Sequence, residues 1–344
     1  MTIRLSEAAL SQLATAALEG LGLAAQDAAD CACILLLGEL FGVRTHGLSR
    51  IESYGERLDL GGIKARPDIR VERVAPTMAR VDGDNGTGPV VGMRALEAAM
   101  EMARESGTGL AFARASNHFG PVGPYSWIAA QQGFASIIGS NASTTIAPWG
   151  GRGTRLGNSP VAFCVPDPAG DPVILDIAMS VAARAKIRSA AKAGQPIPAT
   201  WATDKDGQPT TDAKAAMDGF LLPIGGHKGY GLALVVDLFA GLLSGAAYLT
   251  HVKSWQDEPA EPSDLGHFFF LFDVRRLGAD AWLSERQRDF REILHATPAA
   301  DPANPVRLPG EIELAEMRRQ QREGISLPKS LHEKLLAFAA RAKA

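Results

Sequence analysis

Cysteine is nearly absent from this chain: Cys31, Cys33 and Cys164 are the only three among 344 residues. An odd set without paired CxxC spacing excludes a disulfide framework and a structural zinc centre, and the apolar contexts read as buried thiols in a reducing compartment. No HxH or HExxH spacing and no acidic cluster accompanies the histidines, so no metal is expected. An excess of charge of one sign is missing too, since 35 lysines and arginines face 38 aspartates and glutamates. That balance speaks against nucleic acid or an acidic membrane surface as a partner. No apolar run reaches the roughly 18 residues that span a bilayer. The longest, GLALVVDLFAGLLSGAA, is broken by Asp237, and the N-terminal MTIRLSEAALSQLA lacks the continuous apolar core of a signal peptide. The expectation is a soluble cytoplasmic protein with no membrane partner. Also missing are a strand–GxGxxG–helix unit and a phosphate-binding GxxxxGKS/T loop; GGHKGYG has the wrong glycine spacing, which disfavours a Rossmann domain.

What is present is helical at both ends and mixed between them. Ser6 is placed to cap SEAALSQLATAALEGLG, in which Leu10, Leu13, Ala14, Ala17, Leu18 and Leu21 form one stripe. A second helix is expected from Ala24 to Phe41, and a third from near Ser49 to Gly61-Gly62. IRVERV and MARVDGD alternate as strands do, and a long helix separates them from the apolar strand GLAFARA. FASIIGSN, VAFCVP, PVILDIA and HFFFLFDV complete the strand signals, with the basic helix SVAARAKIRSAAKAG stopped by Gly194. From about Asp280 the pattern is helical again. Length alone allows two or three domains, and the pattern predicts a helical domain assembled from both ends.

Chemistry concentrates in a few short stretches. VRTHGLSR, Val43 to Arg50, carries Arg44, Thr45, His46 and Arg50 directly after an apolar helix. If the third helix extends back to His46, then His46 and Arg50 share a face. A guanidinium beside an imidazole suits a small carboxylate, held bidentately while the imidazole exchanges a proton. A solvated helix start is the structural alternative. SNHFGPVG places His118 in a glycine-flanked turn past a buried strand, where functional loops commonly sit. LPIGGHKGYG sets Lys228 at a helix N-terminus, an arrangement for a phosphate or carboxylate. ILDIAMS ends an apolar strand in Asp176, a carboxylate that needs a partner: either a histidine N–H or, as N-cap, the helix SVAARAKIR that follows.

Seven stretches in one order, VRTHGLSR, SNHFGPVG, APWGG, GNSPVAF, ILDIAMS, GGHKGYGLAL and VRLPGE, resemble the malate/L-lactate/L-sulfolactate dehydrogenase-like family. This family also includes ureidoglycolate dehydrogenase, 2,3-diketo-L-gulonate reductase and Δ1-piperideine-2-carboxylate reductase. The resemblance runs from about Leu5 to Leu336. It implies an α+β, mixed, non-Rossmann NAD(P)-binding fold with a largely antiparallel cofactor-domain sheet and a helical domain formed from both termini. The expected division is 1–75 plus 305–344 for the helical domain, 76–120 plus 223–304 for a mixed α/β domain, and 121–222 for the NAD(P)-binding domain, in a homodimer.

The resemblance further implies that His46 and His118 are the active-site histidines, with Thr45 beside them and Asp176 as the acidic partner of His46. Arg50 resembles the substrate-carboxylate arginine, with Arg44 and Asn158 as further substrate contacts. His118, Phe119, Gly120, Pro121, Ser143, Asp176, Ala178, Ser180, Lys228, Pro309, Gly310 and Glu311 match segments that contact the dinucleotide. The implied reaction is hydride transfer between nicotinamide and the alpha carbon of a small 2-oxo or 2-hydroxy acid. The alternative is NADPH-dependent reduction of a cyclic ketimine or N-methylimine acid. Ketimine reductases usually carry serine where this chain has the stiffer, β-branched Thr45, and many relatives read TNP where it has Asn158-Ser159-Pro160, departures that bear on the substrate subclass. Arg184, Lys186, Arg188 and Lys192 on the basic helix lean the cofactor expectation from NADH towards NADPH, through a 2′-phosphate; a solvated helix face is the other explanation.

Overall fold

The computed structural model describes residues 2–342. β1 (Thr2–Leu5) leads into α1 (Glu7–Gly20) and α2 (Ala25–Leu40), then a 3-10 turn at Arg44–His46 and α3 (Arg50–Asp59). β2 (Arg70–Ala75), β3 (Met78–Asp82), α4 (Gly88–Ser106), β4 (Thr108–Ser116), α5 (Gly123–Gln131) and β5 (Phe134–Ser140) follow. Next come the short β6 (Thr144–Ile146) and β7 (Leu156–Gly157), then β8 (Val161–Val165), β9 (Val173–Ile177) and α6 (Arg184–Ala193). The chain closes with α7 (His227–Asp237), β10 (Leu265–Asp273), α8 (Asp280–His295), α9 (Glu311–Glu323), β11 (Ile325–Pro328) and α10 (Lys329–Arg341).

Ser6 caps α1 as its sequence predicts, its hydroxyl accepting the Ala9 amide at 3.2 Å. Both chain ends then build one layer. β1 pairs antiparallel with β11, Thr2 opposite Pro328 and Leu5 opposite Ile325. Leu10, Leu18, Leu35, Leu327 and Leu335 share its buried core. Two strands of four residues are too short for alternation to reveal them, and each exists only because the other end of the chain supplies its ladder.

The central sheet has seven strands in the order β2-β3-β4-β10-β5-β8-β9. Only the β3–β4 pairing is parallel. β10 lies between β4 and β5 and is buried on both faces, which accounts for the unbroken apolar run HFFFLF. The fold is therefore mixed α/β. The sheet runs across the boundary expected at residue 120: β5, β8 and β9 extend the ladder of β4 and β10, so 121–222 shares its sheet with the neighbouring unit. A separate apolar cluster, including Ile146, Met179, Ile187, Leu221 and Val236, likewise joins residues on both sides of position 222.

Three local expectations are corrected. α3 begins at Arg50 with Ser49 at its N-cap, as expected, but it does not extend back to His46, which belongs to the 3-10 turn before it. The intervening chain passes so close to α2 that a Cβ on Gly47 would stand 2.5 Å from the Glu39 carboxylate. α6 starts at Arg184 because Ala183 is extended, and Cys33 is an exposed thiol on α2. Among the described residues, no helix is long and apolar enough to cross a membrane.

Candidate active site

A cleft of about 260 Å³ opens between the terminal helical layer and the ends of β4, β5 and β9. Phe41, Val43 and His46 line it from the segment after α2, and Glu313 and Leu314 from α9. The loop from β4 to α5 supplies His118 to Gly123, the chain after β5 supplies Ser140 to Ser143, and Asp176 and Ala178 come from the end of β9. The β4–α5 loop reverses at Gly120, whose φ of +82° is the left-handed conformation that glycine adopts without strain.

The two histidine rings stack with centroids 5.4 Å apart and planes inclined by 28°. Thr45 Oγ1 lies 2.9 Å from His46 Nδ1 and fixes that ring. Tyr54, 2% exposed and four residues after Arg50, stands beneath His118. Its hydroxyl donates to the His118 carbonyl at 2.9 Å and lies 2.8 Å from His118 Nδ1. Nδ1 is held from two sides, by the Tyr54 hydroxyl and by the Gly120 amide, which donates to it at 3.4 Å. Burial, and then the Arg50 charge, disfavour protonation of both rings: His46 is lowered to about 4 and His118 lies well below the usual histidine range.

Arg50 opens α3. Its guanidinium carbon sits 5.1 Å from the centroid of the Trp255 ring, while Nε is buried with no hydrogen-bond partner. Among the described residues no carboxylate pairs with it. A largely buried cation without a counter-charge is costly, and an anionic ligand would relieve that cost.

The structure separates the expected site residues. His46 and His118 come together, with Arg50 close enough to lower both. Arg44 does not join them; it is exposed and faces Glu39 at 3.6 Å. Asp176 does not reach His46. Its carboxylate accepts the Gly123 amide at 2.7 Å, because β9 ends beside the start of α5, where the first helical amides lack partners. Crowding by protein raises Asp176 to about 6 even though one side faces cleft solvent, and Glu313 adds a like charge nearby.

Phe119, Gly120, Pro121, Ser143, Asn158, Ala178 and Gly310 line the cleft with His118 and Asp176. Ser180 is buried away from it, with an unpaired hydroxyl. Lys228 is exposed on the first turn of α7, outside the lining. The Pro309 carbonyl accepts the Ile174 amide at 3.2 Å. Glu311 turns to His295 at 3.0 Å and to the Leu308 amide at 3.1 Å. Tyr54, Glu313 and Trp255 were not anticipated; Tyr54 carries a signal, its helical spacing from Arg50, whereas Trp255 sits in a loop with none.

The lining suits a nicotinamide nucleoside. Phe119, Pro121 and Pro160 form apolar walls, and the Ser143 hydroxyl and Asn158 amide have no protein partner among the described residues. A flat ring with a carboxamide and ribose hydroxyls needs that mixture.

The sequence model of the malate/L-lactate dehydrogenase family matches residues 5–336. A (2R)-3-sulfolactate dehydrogenase (NADP(+)) of Chromohalobacter salexigens is 36% identical over 327 residues, 95% of each chain. The crystal structure of sulfolactate dehydrogenase from Methanocaldococcus jannaschii superimposes with a TM-score of 0.91 at 31% identity, covering 99% of this chain and 98% of that one. Δ1-Piperideine-2-carboxylate reductase from Pseudomonas syringae pvar. tomato gives 0.88 at 28% identity, covering 98% and 99%. With the cleft and these likenesses together, the chain belongs to the malate/L-lactate dehydrogenase family and is an oxidoreductase.

Proposed function

We propose that the protein interconverts a small 2-oxo acid and its 2-hydroxy acid, of the malate, lactate or sulfolactate type, with a nicotinamide cofactor. The observation that carries this reading is the half-buried Arg50, its Nε buried without a partner, stacked on the Trp255 that lines one cleft with two histidines kept neutral. The His118–Pro121 wall with Ser143, Asn158, Asp176 and Gly310 would hold the nicotinamide nucleotide, which when bound supplies or accepts the hydride at the substrate alpha carbon. The fold that offers this wall has a largely antiparallel sheet rather than a doubly wound parallel one.

Arg50 binds the substrate carboxylate through its guanidinium fork. In oxidation, the neutral His118 ring takes the hydroxyl proton; in reduction, the same ring returns it. Tyr54 and the Gly120 amide hold the His118 ring in place, and His46, steadied by Thr45, shields the pair from solvent. A carboxylate on Arg50 offsets its charge, so substrate binding itself makes His118 easier to protonate.

Cyclic ketimine reduction is the second reading. It is supported by the likeness to the piperideine carboxylate reductase and uses the same clamp and proton source. The proposed cofactor is NADPH, carried by Lys186 and Lys192, because Arg184 donates to the Met217 and Gly219 carbonyls and Arg188 to Gln256 at 3.0 Å. A homodimer is proposed as well, since Leu232, Val235, Leu238, Leu242 and Leu243 expose one apolar face from α7 onward. The test is NADPH and NADH oxidation with pyruvate, oxaloacetate, sulfopyruvate and Δ1-piperideine-2-carboxylate, with and without methylamine. Turnover with an oxo acid alone supports the first reading. Turnover only with the imine or methylamine mixtures transfers it to the second, and no turnover with any of them overturns both.

A further inference from the structure

Trp255 touches both halves of the proposed chemistry. Its indole lies 5.1 Å from the Arg50 guanidinium carbon and 5.9 Å from the His118 ring centroid, and it lines the cleft. The loop that carries it has no regular structure but is pinned at two points. Beyond Trp255, the buried Arg57 donates to the Pro259 carbonyl at 3.2 Å and the Glu261 carbonyl at 2.7 Å, and to Asn117 Oδ1 at 2.8 Å. One guanidinium therefore ties the strap to the residue preceding His118. Beside Trp255, Gln256 accepts from Arg188 of α6 at 3.0 Å.

We propose that Trp255 is a positioning and specificity residue: its face holds the Arg50 guanidinium in its carboxylate-binding orientation, and its edge limits the substituent on the acid's alpha carbon to a short chain. Stacking on an aromatic face fixes the plane of a guanidinium without using its N–H donors, which leaves the fork free for an acid. The same ring, held by the Arg57 and Arg188 anchors, cannot swing away to admit a bulky side chain. This inference rests on the reading that Arg50 takes the carboxylate.

The test compares Trp255→Ala and Trp255→Phe with the wild type, using lactate and phenyllactate in calorimetry with reduced dinucleotide present, a pair that cannot react, and the matching 2-oxo acids in turnover. Trp255→Ala is expected to weaken lactate binding about tenfold and strengthen phenyllactate, so that their affinity ratio falls by more than tenfold. KM for the small acid rises while kcat changes by less than about threefold, and the dinucleotide Kd is unchanged. Trp255→Phe, which keeps an aromatic face, shifts the ratio in the same direction by less and stands in if the alanine variant does not fold. A ratio within about twofold of wild type in the folded variants, or no binding of either acid to the wild type, overturns the proposal. Binding that depends on Trp255 without turnover of any oxo acid instead overturns the dehydrogenase reading alone.

Discussion

The Tyr54 hydroxyl stands 2.8 Å from His118 Nδ1 and 2.9 Å from the carbonyl of the same residue, so a single buried phenol fixes both the ring and the backbone that carries it. Tyr54→Phe is expected to lower kcat by about 10- to 100-fold, as loss of an orienting partner does at comparable sites. His118→Gln is expected to cost roughly 100-fold or more. In both variants dinucleotide affinity stays at the wild-type value. Steady-state kinetics with fluorescence titration of the dinucleotide checks this, and unchanged kcat in both would remove His118 from proton transfer.

Arg50 is predicted to act through its fork and its charge separately. Arg50→Lys keeps the charge and loses the bidentate geometry, so KM for the acid rises by about tenfold or more while kcat changes less. Burial is the larger cause that lowers His46 to about 4 and the Arg50 charge the smaller, so Arg50→Gln raises the His46 pKa while burial keeps it below 6.5. Histidine-resolved NMR titration reads this shift directly; a His46 that titrates identically in both proteins would separate the two residues.

How much of this site was legible beforehand differs from residue to residue. The stripe in α1, its Ser6 cap and the two-sided apolar run of β10 follow from local spacing, and the structure contains each. The stretches around His46, Arg50 and His118 stood out by composition and order, and they do meet in one cleft. Asp176 was misread because a carboxylate at a strand end has two kinds of partner, and the choice depends on where α5 begins in space. The β1–β11 ladder and the sheet that continues through β5 are likewise long-range pairings, set by packing rather than by local pattern.

The Asp176 correction has its own consequence. Asp176→Ala removes the acceptor of the Gly123 amide and is expected to destabilise the fold by about 1 kcal/mol, the usual cost of a lost helix cap. His46 titration is unaffected. Thr45→Val, by contrast, releases His46 Nδ1 and changes its titration with little loss of stability. Thermal denaturation and NMR together distinguish the two; a His46 perturbed by Asp176→Ala would restore the pairing that the structure lacks.

Acid should destabilise the protein. His46, His118 and the fully buried His267 all have native pKa values below the ordinary 6.5, at about 4, well below 6.5 and about 3 respectively. Protons therefore bind the unfolded chain first, and the stability these groups contribute, complete above about pH 6.5, is lost as pH falls towards 3, at up to roughly 1.4 kcal/mol per unit for each histidine. Asp176 works in the opposite sense between 3.8 and about 6, where its raised pKa favours the native state at the acid end. Open to cleft solvent on one side, it offsets only part of the histidine effect. Urea unfolding at pH 7 and pH 5 is expected to show a lower midpoint at pH 5, and an equal or higher midpoint would contradict the neutral burial of these rings.

The central claim is that this cleft moves a hydride between nicotinamide and the alpha carbon of a small oxo acid. The most direct measurement uses reduced dinucleotide carrying deuterium at both C4 positions with the oxo acid that gives the fastest turnover, followed by NMR of the product. The account predicts deuterium on C2 of the hydroxy acid in one stereochemical sense, and none when His118→Gln replaces the wild type on the same timescale. Product without deuterium at C2, or deuterium found only in solvent, would contradict it.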